Sequence, residues 1–328
     1  MIRPRIAGVL ARVFIAVALL TSGASVLAAE KWMTLGGLRV AVWSLPAEAD
    51  LAQPVIVFSH GFLGCATQSR FLMQAFADAG YKVFAPNHRD AMCVGEEVSL
   101  PNRAFLPFQT PSQWTDADFR DRADDIRRLL AAIRIDDRFR THVDLSHLGL
   151  VGHSLGGYTV LGLSGAWASW KMPGISAVLA LSPYAEPFME QRTLSGLSVP
   201  VMYQGGNFDF MKMPGMHKTS GAYDQSPSPK YFVEFDLASH WAWTNFGFGV
   251  HDQIAAYGVA FMDAYVRGFV RDVELTTSAR GVAALRHAEP VATKLEPAPE
   301  IQEVPPADEV APPLPVAIGH GPVAEAAP

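Results

Sequence analysis

The sequence predicts an α/β fold: a mostly parallel, twisted sheet with helices on both faces and an antiparallel hairpin at the N-terminal end. Three observations carry that expectation. Strand-like and helix-like segments alternate along the chain, the pattern of a parallel sheet whose crossovers are helices. Several strand-like segments are unbroken apolar runs, such as Val55-Ile56-Val57-Phe58, as strands buried on both faces are. One such run leads straight into Gly152-His153-Ser154-Leu155-Gly156-Gly157, and an apolar, small-residue helix pattern follows. A strand, one sharp turn with a serine at its apex, and a helix is the signature of a nucleophile elbow.

The elements follow in chain order. Residues 32–35 and 38–43 read as short strands joined by Gly36-Gly37, a hairpin signal. The apolar run 54–58 is the next strand. Residues 69–79 read as a helix ended by Gly80, and 81–85 as the strand after it. A long irregular segment occupies 87–113. Residues 114–135 have helical apolar spacing at Phe119, Ile126, Leu129, Leu130 and Ile133. The elbow strand is then the fifth of the series, with its helix starting at Leu155. Further strands are expected at 175–181, 199–203 and 231–237, and a last helix at 251–269. There is no internal repeat. Residues 30–272 form one catalytic domain on this reading, since α/β folds of that length are commonly single domains.

Both ends differ from that domain. Arg3, Arg5 and Arg12 precede an apolar run at 13–20 and then small residues as far as Ala29. This pattern predicts a secretory signal peptide over 1–29, cut after Ala28 or Ala29. The alternative is an uncleaved anchor, for which 13–29 is short. No membrane span is expected once the signal is removed, and the address is periplasmic or extracellular. Residues 273–328 are expected to be a linker and then a disordered tail. Pro297, Pro299, Pro305, Pro306, Pro312, Pro313 and Pro315 lie in a stretch rich in Ala, Glu and Val with no periodic apolar face. The net charge of −6 comes with no basic patch, so nucleic acid is not an expected partner. The chain has two cysteines. Cys65 and Cys93 each follow a strand at the same edge of the sheet, and a disulfide between them suits an oxidising compartment; two thiols are the alternative.

A serine hydroxyl is a poor nucleophile until a base within hydrogen-bond reach takes its proton, and that base is oriented by a carboxylate. Glycine at 152 and 156 lets the elbow pass close to the neighbouring strand and helix. In elbow folds the acid and then the histidine follow later strands. Asp209 follows the strand at 199–203, and His240 follows the one at 231–237, both at the carboxyl edge where sites form in parallel sheets. Glu186, Asp236 and Asp224 compete for the acid, and His251 and His217 for the base. The expected oxyanion donors are the backbone N–H groups of Leu155 and of Phe62, the latter in the loop His60-Gly61-Phe62-Leu63-Gly64. His60 is expected to hold that loop, and His153 to pack. Trp241, Trp243, Phe246 and Phe248 cluster after the histidine, with Trp241 the expected substrate contact and core packing the alternative for each. No metal or cofactor is implied, because the histidines and aspartates lack ligand spacing.

Together, Gly152-His153-Ser154-Leu155-Gly156-Gly157, the His60-Gly61-Phe62 loop, Asp209 and Ser239-His240 resemble the α/β-hydrolase superfamily. Within it the likeness is to dienelactone-hydrolase-like and platelet-activating-factor-acetylhydrolase-like esterases and to cutinase-type polyester hydrolases. Asp121-Arg122-Ala123-Asp124-Asp125-Ile126 resembles those groups as well. The likeness covers about residues 38–270. It implies a serine esterase that cleaves carboxylic esters through an acyl-enzyme, with Ser154, His240 and Asp209 as the triad. A monomer acting on a small-molecule, lipid or polymeric ester is expected. Dienelactone hydrolases proper use cysteine as nucleophile, so their substrate is not carried over. The segments 87–113 and 211–216 match no pattern. A peptidase, amidase or thioesterase on the same fold is the alternative, and a non-catalytic binding protein a more distant one.

Overall fold

In the computed structural model, which describes residues 28–45, 52–93, 108, 110–210, 215–216 and 218–289, nine strands join into one sheet. They are β1 (Ala29–Leu35), β2 (Leu38–Ser44), β3 (Gln53–Ser59), β4 (Lys82–Pro86), β5 (Val143–His153), β6 (Ile175–Leu181), β7 (Val201–Gly206), β8 (Lys230–Phe235) and β9 (Val282–Ala288). Their spatial order is β1-β2-β4-β3-β5-β6-β7-β8-β9. The six strands from β4 to β8 in that order are parallel to one another. β1 and β2 at one edge and β9 at the other are antiparallel. The expected α/β-hydrolase architecture, with its N-terminal hairpin, is therefore the one observed. Gly36 and Gly37 turn the hairpin with φ of 57° and 76°, the left-handed pair that a two-residue turn of this hand requires.

Seven helices connect the strands among the described residues: α1 (Arg70–Asp78), α2 (Arg120–Ile135), α3 (Leu155–Leu161), α4 (Glu186–Gln191), α5 (Ala222–Gln225), α6 (His251–Tyr265) and α7 (Asp272–Thr276). Side chains alternate across a strand, and β3 shows what that does here. Val55 and Val57 join a core with Ile126, Leu129 and Ile133 of α2. Ile56 and Phe58 point the other way, against Leu72 and Phe76 of α1 and Ile254 and Phe261 of α6. An unbroken apolar run is what this double burial demands, at about 1.5–3 kcal/mol for each large side chain removed from water.

Several elements differ from the sequence expectation, among them α7, which occupies 272–276 at the start of the expected linker. α2 starts at Arg120 rather than 114, because Phe119 is left-handed (φ 56°, ψ 25°) and breaks the helical run. The apolar residues before it serve an aromatic cluster instead. α6 ends at Tyr265 rather than 269, and Gly268 turns the chain away with φ of 72°. β9 falls in the 273–328 stretch expected to be linker and tail, and it pairs with β8 from Lys230 to Phe235. Of the expected signal peptide at 1–29, residues 1–27 lie outside the described residues, as do residues 290–328 of the expected tail and most of 87–113. Among the described residues no helix is long and apolar enough to cross a membrane.

Candidate active site

The turn between β5 and α3 is as tight as its glycines imply. Ser154 is held at φ 54°, ψ −116°, a strained conformation for a residue with a side chain. A methyl group at Gly152 would lie 2.2 Å from the Gly156 carbonyl oxygen, and one at Gly156 would lie 1.9 Å from the Ser59 carbonyl oxygen. The first collision is with the helix and the second with the neighbouring strand. Backbone bonds fix the apex: Ser154 N–H donates to Leu181 (3.0 Å), and the Ser154 carbonyl accepts from Tyr184 N–H (2.9 Å).

The structure brings Ser154, His240 and Asp209 together. His240 Nε2 lies 3.0 Å from Ser154 Oγ, and His240 Nδ1 lies 2.8 Å from Asp209 Oδ2. With Nδ1–H donating to the carboxylate, Nε2 is left to accept the serine proton. Asp209 is almost fully buried, while the His240 side chain keeps 12% of its surface exposed. The competing residues lie elsewhere. Asp224 pairs with Arg286, Asp236 accepts from Asn207, and His251 stacks on Phe71. Glu186 opens α4, and His217 is outside the described residues.

Ser182 was not singled out from the sequence. Its hydroxyl donates to Asp209 Oδ2 and lies 2.9 Å from His240 Nδ1. It follows β6 with a left-handed φ of 40°, which turns its side chain toward the acid–histidine pair. His153 packs, as expected, and also braces the site. Its Nε2 donates to the His240 carbonyl (3.0 Å), and its Nδ1 accepts from Gln68 Nε2 (3.0 Å). Burial holds its pKa down to about 3, so it stays a neutral ring.

Ser154 opens onto a cleft of about 610 Å³ lined by Phe62, Leu63, Phe108, Tyr184, His240 and Trp241 among others. Phe108 packs between Phe62 and Tyr184, with ring centroids 5.1 and 5.0 Å away. This places an apolar aromatic wall beside a polar centre, the usual make-up of an organic-ligand site. Trp241 is 61% exposed and lines the cleft, where it was expected. Trp243 is buried core, and Phe246 and Phe248 are exposed outside the cleft. Of the expected donors, Leu155 N–H directly follows Ser154 and is the first of α3, so it has no acceptor inside that helix, and Phe62 lines the same cleft as Ser154.

A second set of the same residue types lies behind the cleft. Ser59 Oγ is 2.9 Å from His88 Nε2, and His88 Nδ1 is 2.8 Å from Asp125 Oδ2. Ser59 has no exposed surface, and Arg122 Nη1 approaches its hydroxyl at 3.5 Å. No acyl group can reach it, and the set serves to tie β3, the loop after β4 and α2 together.

Cys65 and Cys93 are neighbours, but the expected bond is not formed in this structure. Each sulfur has another polar partner: Cys65 Sγ is 3.3 Å from Thr67 Oγ1, and Cys93 Sγ donates to Asn87 Oδ1 at 3.4 Å. The Cys93 thiol, through a hydrogen bond, is the largest influence bringing the Cys65 pKa down to about 6.

A family model for the alpha/beta hydrolase fold matches residues 54–165. A second, described as PET hydrolase-like, matches residues 111–286, more than half of the chain and a span that includes Ser154, Asp209 and His240. The chain belongs to the PET hydrolase-like family. Among curated proteins, "Cutinase est2" of Thermobifida alba is 29% identical over 213 residues, which make up 64% of this chain and 59% of that protein. The chain thus spans less than two thirds of this relative's length. The expected likeness to cutinase-type polyester hydrolases holds, and the family match runs on into β9.

Proposed function

We propose that this protein is a serine hydrolase of carboxylic esters. The observation that carries this reading is the hydrogen-bonded chain Asp209–His240–Ser154 ending at an apolar cleft. His240 Nε2 takes the proton from Ser154 Oγ as the oxygen attacks the acyl carbonyl. The N–H groups of Phe62 and Leu155 hold the resulting oxyanion. Collapse of the tetrahedral intermediate expels the alcohol, which takes its proton from His240. A water deprotonated by His240 then releases the acid from the acyl-enzyme. Asp209 keeps the imidazole in the required tautomer and stabilises its cationic form.

Phe62, Phe108, Tyr184 and Trp241 form the surface on which an apolar acyl or aromatic group lies, and the likeness to a cutinase and to PET hydrolases favours ester over amide substrates. The N-terminal pattern supports export, and in an oxidising compartment Cys65 and Cys93 would join as a disulfide. Thiol titration of the denatured, unreduced protein should then find none; two thiols would contradict this. The catalytic reading is tested with a p-nitrophenyl ester series from acetate to palmitate, run beside Ser154→Ala. Turnover should be lost in the variant, and equal rates in the two proteins would contradict the mechanism. Faster cleavage of the matching anilide than of the ester would favour an amidase instead.

A further inference from the structure

The loop that carries Phe62 belongs to no helix or strand, so no helical or sheet ladder aims its N–H. The structure shows what does. The Gly61 carbonyl accepts three donors: His60 Nδ1 at 2.7 Å, Gly64 N–H at 2.9 Å and Arg122 Nη2 at 3.1 Å. The His60 carbonyl accepts Arg122 Nη1 at 2.7 Å. The other edge of the guanidinium meets Asp90, with Nε 3.1 Å from Oδ1 and Nη2 2.9 Å from Oδ2. Asp90 Oδ2 in turn accepts Leu63 N–H at 3.1 Å. Arg122 has no exposed surface; it reaches the loop from α2 and is not among the residues that line the cleft.

A carbonyl and the N–H that follows it lie in one planar trans peptide and point in opposite directions. A grip on the Gly61 carbonyl therefore sets where Phe62 N–H points, and a grip on the His60 carbonyl sets Gly61 N–H. The second direction can be checked. Gly61 N–H donates to Gln68 Oε1 at 3.0 Å, and Gln68 lines the cleft. The loop also lies against the serine, since a methyl group at Gly61 would be 3.4 Å from Ser154 Cβ. Donors on a carbonyl polarise its peptide and strengthen the opposite N–H. Two carbonyls and both oxygens of the Asp90 carboxylate take four N–H bonds at once, which the planar fork supplies and an ammonium group, with three N–H, does not.

We propose that Arg122 is a positioning residue: its guanidinium, backed by Asp90, aims the Phe62 N–H at the oxyanion that forms on attack by Ser154. This rests on the reading of Ser154 as the nucleophile. Asp121-Arg122-Ala123-Asp124-Asp125, a stretch marked only by its likeness to related esterases, thereby gains a role in the reaction.

Two variants test it, and a third, Arg122→Ala, tests rescue. Arg122→Lys keeps the charge opposite Asp90 but loses the fork. Arg122→Gln combined with Asp90→Asn removes both charges, so that no unpaired charge is left buried. With p-nitrophenyl butyrate, each variant should lose roughly 10²-fold in kcat with KM nearly unchanged. The Ki of an aryl trifluoromethyl ketone, whose serine adduct carries an alkoxide where the oxyanion forms, should rise by the factor lost in kcat/KM. In Arg122→Ala, added guanidinium at non-denaturing concentration should restore part of kcat. A purely structural residue would lower Tm and leave kcat and Ki unchanged in folded protein, and that result in either variant overturns the proposal. Ser154→Ala run alongside separates the two failures. Turnover surviving there contradicts the catalytic serine itself, whereas an inactive Ser154→Ala beside fully active Arg122 variants contradicts only the role of Arg122.

Discussion

At Ser182 a single hydroxyl bridges Asp209 and His240, adding a donor to a carboxylate that is already buried. A buried charge needs such partners, and here the partner also fixes the carboxylate's orientation toward the imidazole. Ser182→Ala should therefore reduce kcat roughly 10-fold, an effect of about 1.4 kcal/mol, with little change in KM, as steady-state kinetics on one short-chain ester will read. A KM effect without a kcat effect would place Ser182 in substrate binding instead. Ser154, Asp209 and His240 were legible in the sequence because each lies a few residues after a strand and the three follow the chain order of an elbow fold. Ser182, Gln68 and Arg122 were not, because what they do depends on contacts between elements far apart in the chain. Arg122 is 62 residues from the carbonyl of His60 that it holds, and no local pattern announces that bond.

The elements set how closely the site is assembled. α3 crosses β3 so tightly that the Ser59 carbonyl leaves no room for a side chain at Gly156. Gly156→Ala must push α3 off the sheet and carry Ser154 and Leu155 with it. A loss of about 1–3 kcal/mol in unfolding free energy is expected, together with a larger loss of kcat than of stability, measured by urea unfolding beside ester turnover. Normal activity in this variant would mean that the elbow tolerates displacement. The buried parallel strands were legible from their apolar runs, and α1 and the hairpin from their glycine stops. The start of α2 was not, because the apolar spacing at 114–119 serves aromatic packing around Phe108 as well as it would serve a helix face. β9 was missed for a related reason: as an edge strand with largely half-buried and exposed residues, it has no run or alternation strong enough to stand out.

For the molecule as a whole, the polar layer behind the cleft has a cost in acid. Burial holds the pKa values of His60, His88 and His153 below the ordinary histidine value, His153 at about 3. Below pH 6.5 the unfolded chain binds a proton at each of these positions and the folded chain does not, so stability falls as pH falls. The slope reaches up to about 1.4 kcal/mol per pH unit for each histidine, and for His153 it levels off only near its folded pKa. Urea unfolding free energies measured between pH 7.5 and 4.5 should drop steeply below 6.5, and less steeply in His153→Gln. A flat profile would contradict the neutral, buried state of these rings.

The central claim is that one of two Ser–His–Asp sets, the one that faces the cleft, carries out the chemistry. A fluorophosphonate bearing a reporter group, followed by peptide mapping in a mass spectrometer, tests this directly. The account predicts one adduct per chain, on Ser154, and none in Ser154→Ala. An adduct on Ser59, or no adduct on a protein that still turns over esters, would contradict it.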